Sequence, residues 1–396
     1  MVVTGISVLS SIGNNKEEFI NGLKHGKCGT KPLSERIDPC LYSIDIASLI
    51  EDDFYFKQIL TENPVDFING ISISIAKDAI KDSRFFESMD FNNMGVAIAT
   101  SQGANELRRI FYQEEKEGKT PNYHLLFNAP SSRIAESICN NLKINGSHAT
   151  FVTACAAGTN AIGYAFNQIC TSRMKSVLVG GVDLFSTLSF SGFSSLKAVS
   201  KTTCRPFDAN RSGLTLGEAV AFLVLEELEH ALDRNALIYG EIVGYGFSND
   251  AYHETAPDPD GGGAIRSMKN ALYNAGISAS DIEYINAHGT GTIQNDIMEI
   301  KAIKSVFREN LTRLHVSSSK SQFGHTMGTA GIIEGIVCLI ALNQGFIPPT
   351  INLESSICEN LGIVKNHSIE KEFEYALSNS FAFGGNTASI IFKRYK

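Results

Sequence analysis

The chain has 396 residues, 43% of them hydrophobic and 19% charged. That is enough apolar material for more than the roughly 100–200 residues of one ordinary domain. Lys plus Arg number 34 against 42 Asp plus Glu, a net charge of −8; this surface repels polyanions and argues against nucleic-acid binding, leaving room only for a local basic patch facing an acidic partner. No single-sign charge run marks disorder. No stretch reaches the ~18 consecutive apolar residues of a membrane span. The eight cysteines are scattered without paired spacing, which fits reduced thiols of a cytosolic protein better than a disulfide framework.

The amino-terminal MVVTGISVLSSIGNN lacks a basic region and a cleavage site and reads as a strand and turn. Ile71–Lys81 follows with helical period, then Gly95–Thr100 as a buried strand, and the polar stretch 113–122 as a surface turn between helices. Beyond it come a strand at Ala149–Thr153, a helix at Ala161–Cys170, and strands at Ser176–Val179, Ala221–Leu225 and Leu237–Tyr245. Asp250–Gly263 is rich in Pro and Gly and reads as a long loop. The remaining pattern is helix Gly263–Ala275, strand Tyr284–Asn286, helix Asn295–Val306, strand Leu314–Ser317, helix Ala330–Leu342 and strand Ser389–Phe392. This alternation predicts an α/β protein with mostly parallel sheets covered by helices.

One internal echo stands out. Cys155-Ala-Ala-Gly158-Thr159 follows a strand and opens a small-residue helix, and His325-Thr-Met-Gly328-Thr329 does the same. Two halves that each present a reactive residue at a strand-to-helix junction suggest a duplicated α/β unit with the site between them.

Cys155, in TACAAGTNAIG, sits where the positive end of a helix dipole favours a thiolate, among Ala and Gly that leave access. Cys28, Cys40, Cys139, Cys170, Cys338 and Cys358 lack that context and read as structural. His288, in NAHGTGT, and His325, in KSQFGHTMGTAG with Lys320 five residues before it, both lie in glycine-flanked turns. A lone histidine is usually a core residue; two such turns joined to a candidate thiol suit nucleophilic thiol chemistry. The chain has no H-E-x-x-H, Cys/His cluster, Walker loop, dinucleotide fingerprint or G-x-S-x-G elbow. Phe383-Gly384-Gly385 is either an oxyanion-type loop or a tight bend before the last strand.

Together TACAAGTNAIG, CRPFDANRSGLTLGEAVAFLVLE, NAHGTGTIQND, KSQFGHTMGTAG and NSFAFGGN resemble, in order, the motifs of the β-ketoacyl-[acyl carrier protein] synthases, the condensing enzymes of fatty-acid and polyketide synthesis, nearest the elongating branch. The resemblance runs from VVTGISVLSSIG to FGGNTASIIF. It implies a duplicated five-layer α-β-α-β-α (thiolase-like) fold, with halves at 1–238 and 239–396, working as a homodimer or as a heterodimer with a chain-length factor. Cys155 then matches the nucleophile that takes an acyl chain from the phosphopantetheine of an acyl carrier protein. His288 and His325 match the histidines that promote malonyl decarboxylation and hold the enolate, with Lys320 beside them. Asp296 and Glu299 match the supporting acidic residues, and Thr290 and Thr292 the contacts to the pantetheine arm. Phe383 matches the gate whose N–H joins that of Cys155 in an oxyanion hole, with Gly384 next to it. Asn286, Glu334, Ser378 and Asn379 match a site for a structural monovalent cation. No catalytic metal or other cofactor is implied. By the same analogy Arg108, Arg109, Lys201 and Arg205 form the basic patch for an acidic carrier.

The chain departs from that pattern at Ala382, where many members have glycine, at Asn386-Thr387, whose order is reversed, and in a short 200–205 segment. These features are similar to ketosynthases of polyene or aromatic polyketide clusters. Ala382 is expected to deprive the gate loop of positive-φ freedom. Alternatives are a partner-dependent, chain-length-factor-like subunit, which typically lacks the nucleophile, and a thiolase-type acyltransferase, which would need a second cysteine near the C-terminal glycines.

Overall fold

A computed structural model describes residues 1–33, 44–51, 67–85, 91–308 and 310–396; Cys40 lies outside them. Eleven strands make the main sheet: β1 Val2–Ser10, β2 Met94–Ala99, β3 His148–Phe151, β4 Ser176–Asp183, β5 Ala219–Glu226, β6 Gly240–Asn249, β7 Tyr284–Asn286, β8 His315–Ser317, β9 Gly362–Ile363, β10 Tyr375–Phe381 and β11 Asn386–Lys393. The principal helices that cover or separate them are α1 Phe67–Asp82, α2 Ser132–Leu142, α3 Ala157–Cys170, α4 Gly262–Ala275, α5 Ile293–Val306 and α6 Ala330–Gln344.

The amino-terminal strands lie in the order β3-β2-β4-β5-β1 and the carboxy-terminal ones in the order β8-β7-β10-β11-β6, with β9 added at the edge. Strand sense repeats as well: β2 runs parallel to β3 and β4, and β7 runs parallel to β8 and β10. The β4–β5, β5–β1, β10–β11 and β11–β6 pairs are antiparallel. Each half therefore has the same connectivity, and the halves meet where Val2 and Val3 pair with Glu241 and Gly240. The main sheet is mixed: β2 runs parallel to β3 and β4, and β7 to β8 and β10, while the long strands β1, β5, β6 and β11 pair antiparallel with their neighbours.

Alternation along the strands builds the layers. In β5, Ala219, Ala221, Leu223 and Leu225 enter one core, while Val220, Phe222 and Val224 enter another. In β11, Ile390 and Phe392 join the first core and Ile391 a third. The shared first core contains α3 and α6, the second is covered by α1 and α2, and the third by α4 and α5. The result is α1/α2, sheet, α3/α6, sheet, α4/α5, the five layers expected.

Burial of α6 is the sequence's most direct statement about this order. Its thirteen residues Ala330–Leu342 are all buried, and a helix apolar all round must lie inside. Met327–Gln344 is long and apolar enough to cross a membrane, with mean hydropathy 1.4, but 89% of it is buried within the protein.

The two central helices cross with no side chain between them. A Cβ on Gly158 would lie 2.7 Å from the Ile332 N, and one on Gly331 would lie 2.3 Å from the Thr159 N. These reciprocal contacts are related by a local two-fold, which aligns Gly158 with Gly331. A 3₁₀ turn precedes each helix, Ala154–Ala156 before α3 and Met327–Thr329 before α6, and each opens on a residue with positive φ, Ala154 at 48° and Met327 at 54°. The duplication seen in sequence is present, but its register is corrected: the structural partner of Cys155 is Gly328, not His325.

The crossing makes a paired prediction. Gly331→Ala recovers about 1 kcal/mol of helix propensity, yet must push backbone apart, so a net loss of about 1–3 kcal/mol is expected. Gly192→Ala, in the helix Thr187–Ser195 with nothing within 4 Å of a new Cβ, should instead gain up to about 1 kcal/mol. Urea unfolding of the two variants should show midpoints moving in opposite directions.

Candidate active site

The parallel strands of each half point their C-terminal ends at one region, the usual place for a site in such sheets. Cys155 follows β3, His288 follows β7, Lys320 follows β8, and Phe381–Phe383 follow β10. Together with Thr290, Thr292 and His325, Cys155, His288 and Phe383 line a pocket of about 660 Å³.

Cys155 Sγ lies 3.0 Å from His325 Nε2. The two imidazoles meet edge to face, ring centres 5.4 Å apart, with Phe381 packed on His288 at 5.7 Å. His325 Nδ1 accepts from the Met327 N–H at 3.3 Å. In the neutral ring this places the proton on Nε2, which faces the sulfur and the pocket as a donor. His288 Nδ1 is buried without a hydrogen-bond partner.

Burial governs the charges. It pushes both imidazoles well below their usual value of 6.5, with the Lys320 charge acting in the same direction; both rings are neutral. Burial also pushes the Cys155 thiol from 9.0 up to about 12, a cost to the thiolate of about 4 kcal/mol. A helix dipole supplies about 0.3–1 kcal/mol, up to about 2 in partly buried sites. The sequence-based expectation of a dipole-stabilised thiolate is therefore corrected: desolvation wins, and the resting group is a thiol.

The supporting residues hold the loops. Glu299 accepts from the N–H groups of His288 and Gly289, both at 2.8 Å, and from Asn379 Nδ2 at 3.2 Å. Asp296 accepts from the N–H groups of Phe207 at 2.8 Å and Gly291 at 3.2 Å, and lies 3.5 Å from Arg211. Thr290 and Thr292 share a hydroxyl–hydroxyl bond of 2.9 Å. Lys320 and Glu334 form an ion pair, both fully buried, and burial pushes the Glu334 and Glu299 carboxyls up to about 7.

The gate region differs from expectation at one point. Ala382 has φ −127°, an extended conformation open to any residue; the positive φ values belong to Gly384 and Gly385, at 79° and 77°. Ala382 therefore does not stiffen the loop. Phe383 stacks on Phe193, ring centres 5.6 Å apart. Gly384 faces away from the pocket lining: its N–H bonds the Glu254 carbonyl at 2.7 Å and its carbonyl accepts from Asn249 at 3.0 Å.

Of the cation residues, Asn286, Glu334 and Ser378 gather on the inner sheet face. Glu334 Oε2 and Ser378 Oγ are buried without partners, oxygens suited to a monovalent ion. Asn379 is not with them. Strand alternation turns its side chain outward, to Glu299 and Ser389. Among the described residues, Cys155, His288 and His325 are the one His/Cys/Asp/Glu group whose donor atoms converge, within 4.8 Å. Zinc uses such donors, but the Lys320 charge beside them opposes a divalent cation.

The proposed basic patch divides. Lys201 adjoins in sequence Ser200, which bonds the lining residue Ser212 at 2.8 Å, and Arg205 is paired with Glu354. Arg108 and Arg109 stand on the helix Asn105–Lys116, outside the pocket lining, with Arg109 paired to Glu106. Sequence reasoning missed three residues here: Lys197 and Phe193 on the pocket wall, and Arg211, whose Nη2 bonds the Ile293 carbonyl at 3.0 Å. Arg211 was legible as a charge inside CRPFDANRSG; Lys197 and Phe193 carry no local signal.

The whole chain is similar to proteins of one family. Residues 1–231 match the model for the beta-ketoacyl synthase N-terminal domain and 239–354 that for the C-terminal domain. A "3-oxoacyl-[acyl-carrier-protein] synthase 2" of Staphylococcus aureus (strain COL) is 37% identical over 413 residues, covering 100% of this chain and 98% of the relative. A solved chain described as "the ishigamide ketosynthase/chain length factor" superposes with TM-score 0.93 at 33% identity, covering 100% and 99%. The ketosynthase of a type II polyketide synthase, solved in complex with its acyl-carrier protein and bound to the hexaketide, gives 0.89 at 28% identity, also covering 100% and 99%. The chain belongs to the beta-ketoacyl synthase family.

Proposed function

We propose that this protein elongates an acyl chain by decarboxylative Claisen condensation, with Cys155 as acyl acceptor and malonyl-acyl carrier protein as extender. The observation that carries the reading is the convergence of one thiol and two neutral imidazoles, within 4.8 Å of one another, on the wall of a pocket that also presents Thr290 and Thr292.

In the first step the Cys155 sulfur attacks the thioester carbonyl of a carrier-bound acyl group. The pantetheine sulfur leaves with the thiol proton, and Cys155 holds the chain as a new thioester. In the second, the malonyl thioester enters along the Thr290–Thr292 wall and its carboxylate departs as CO2. The electron pair of the broken C–C bond forms an enolate whose oxygen accepts from the imidazole N–H groups of His325 and His288. The enolate carbon attacks the acyl carbonyl, the C–S bond breaks with its electron pair going to sulfur, and the resulting thiolate takes one proton from solvent. Neutral imidazoles suit this task, because each donates a hydrogen bond without being a strong acid. The N–H groups of Cys155 and Phe383 hold the transient oxyanion.

In this reading Lys320 adds to the burial that keeps both rings neutral, Glu299 and Asp296 set the loops, and a monovalent ion at Asn286, Glu334 and Ser378 has a purely structural part. The chemistry calls on no redox group. The partners are an acyl carrier protein, docking by Lys201, Arg205 and Lys197, and a second ketosynthase-fold subunit, either a copy of this chain or a chain-length factor. The halves divide at 238/239, and the protein works in the cytoplasm. The presence of Cys155 opposes a purely chain-length-factor role. Cys358, buried in the third core, does not supply a thiolase's second thiol.

Incubation with a panel of acyl carrier proteins, followed by mass spectrometry, should show one acyl group retained on Cys155 and its mass should name the substrate class. Cys155→Ala should lose both loading and condensation. His288→Ala should still load Cys155 while condensation falls on the order of 100-fold; condensation near the parent rate would remove His288 from the reaction.

The pH profile tests the charge assignment. Imidazoles held well below 6.5 stay neutral as the pH falls through that value, so the condensation rate should hold there and the acid limb should lie lower. Lys320→Met removes one cause that both rings share and should move the limb up toward 6.5. A parent limb centred at 6.5 would contradict the assignment.

A further inference from the structure

One buried carboxylate has no part in the scheme above. Asp183 ends β4 and is 1% exposed. Its Oδ1 accepts from Thr100 Oγ1 at 3.0 Å, the Ser101 N–H at 3.0 Å and the Gln102 N–H at 3.2 Å. Its Oδ2 accepts from the Ser101 N–H at 3.1 Å, the Thr329 N–H at 3.1 Å and Thr329 Oγ1 at 3.5 Å. One carboxylate of the amino-terminal half thus grips the 3₁₀ turn Met327–Thr329 of the other half. The turn lies against it directly: a Cβ on Gly328 would stand 2.9 Å from Asp183 Oδ2 and 2.5 Å from the Ser101 N.

What that turn does is specific. Its first residue, Met327, is held at φ 54°, a conformation that costs a non-glycine residue about 1–2 kcal/mol and persists only where its surroundings enforce it. In that conformation the Met327 N–H reaches His325 Nδ1, and this bond decides which ring nitrogen carries the proton.

We infer that Asp183 is a positioning residue that fixes the tautomer of His325: by anchoring Thr329 and Gly328 it holds Met327 where its N–H occupies Nδ1, leaving Nε2–H to face Cys155. Both carboxylate oxygens are needed, because backbone donors approach each of them. An asparagine offers one oxygen and sets its NH2 against N–H donors. The functional half of the inference rests on the role proposed for His325; the tautomer does not.

The test uses the full chain labelled with 15N at histidine, the His325 signals being assigned by their loss in His325→Ala. In the parent, His325 should show a bare Nδ1 and a protonated Nε2. Asp183→Asn should give a mixture of tautomers, with kcat for condensation reduced on the order of 100-fold and KM for the carrier-bound substrates within about twofold. Gly328→Ala, which presses the same turn off the carboxylate from the other side, should do likewise and serves if the Asp183 variant does not fold. Unchanged His325 signals in a folded variant, or a loss of activity without a tautomer change, would overturn the inference. A tautomer change with condensation intact would uphold it and remove His325 from the condensation step instead.

Discussion

Everything in this molecule hangs on the crossing of α3 and α6. Two backbones meet at Gly158 and Gly331 with nothing larger than hydrogen between them, and this closeness draws the turns at the helix starts into contact. One turn carries Cys155. The other lies just beyond His325. A larger residue at either glycine would separate a thiol in the first half from an imidazole in the second that now sits 3.0 Å away. Cys155 belongs to one half and both imidazoles to the other; the thiol meets them because the helices meet.

That same closeness explains the electrostatics. A site built at the centre of a five-layer protein is short of water, and desolvation is the largest influence on Cys155, His288, His325, Glu299 and Glu334 alike. The fold answers with backbone donors on the carboxylates and with a buried Lys320–Glu334 pair. The outcome is a set of uncharged hydrogen-bond donors beside an uncharged thiol. Such a site binds a neutral thioester without having to strip a counter-charge from water, and keeps its donors for the moment when charge develops on an oxygen.

Much of this was legible in the sequence, and the reasons are local. The strand β7 and α6, apolar from Ala330 to Leu342 but for Glu334, are written in short local patterns, and Cys155, His288 and His325 announce themselves by glycines and small residues that make room around them. What was not legible depends on partners far along the chain. The strand β10 escaped notice because YALSNSF has polar residues facing buried carboxylates and hydroxyls. The resemblance groups Asn379 with Ser378, whereas adjacent strand residues face opposite layers. The dipole argument for Cys155 failed for the same kind of reason: burial is a property of the assembled layers. The constraint assigned to Ala382 failed because the left-handed conformations of its loop fall on Gly384 and Gly385.

The register of the duplication has one more implication. Under the two-fold that relates the central helices, Cys155 corresponds to Gly328 and His325 corresponds to Val152, an exposed residue. The repeat has therefore copied a scaffold without copying a site, and the internal symmetry is broken at Cys155 and at His325. Under the proposed reading such a chain has one seat for a covalently held passenger among its described residues, supplied by the first half, with the imidazoles that face it supplied by the second. Any pairing of two such chains then multiplies seats by counting chains, never by counting repeats.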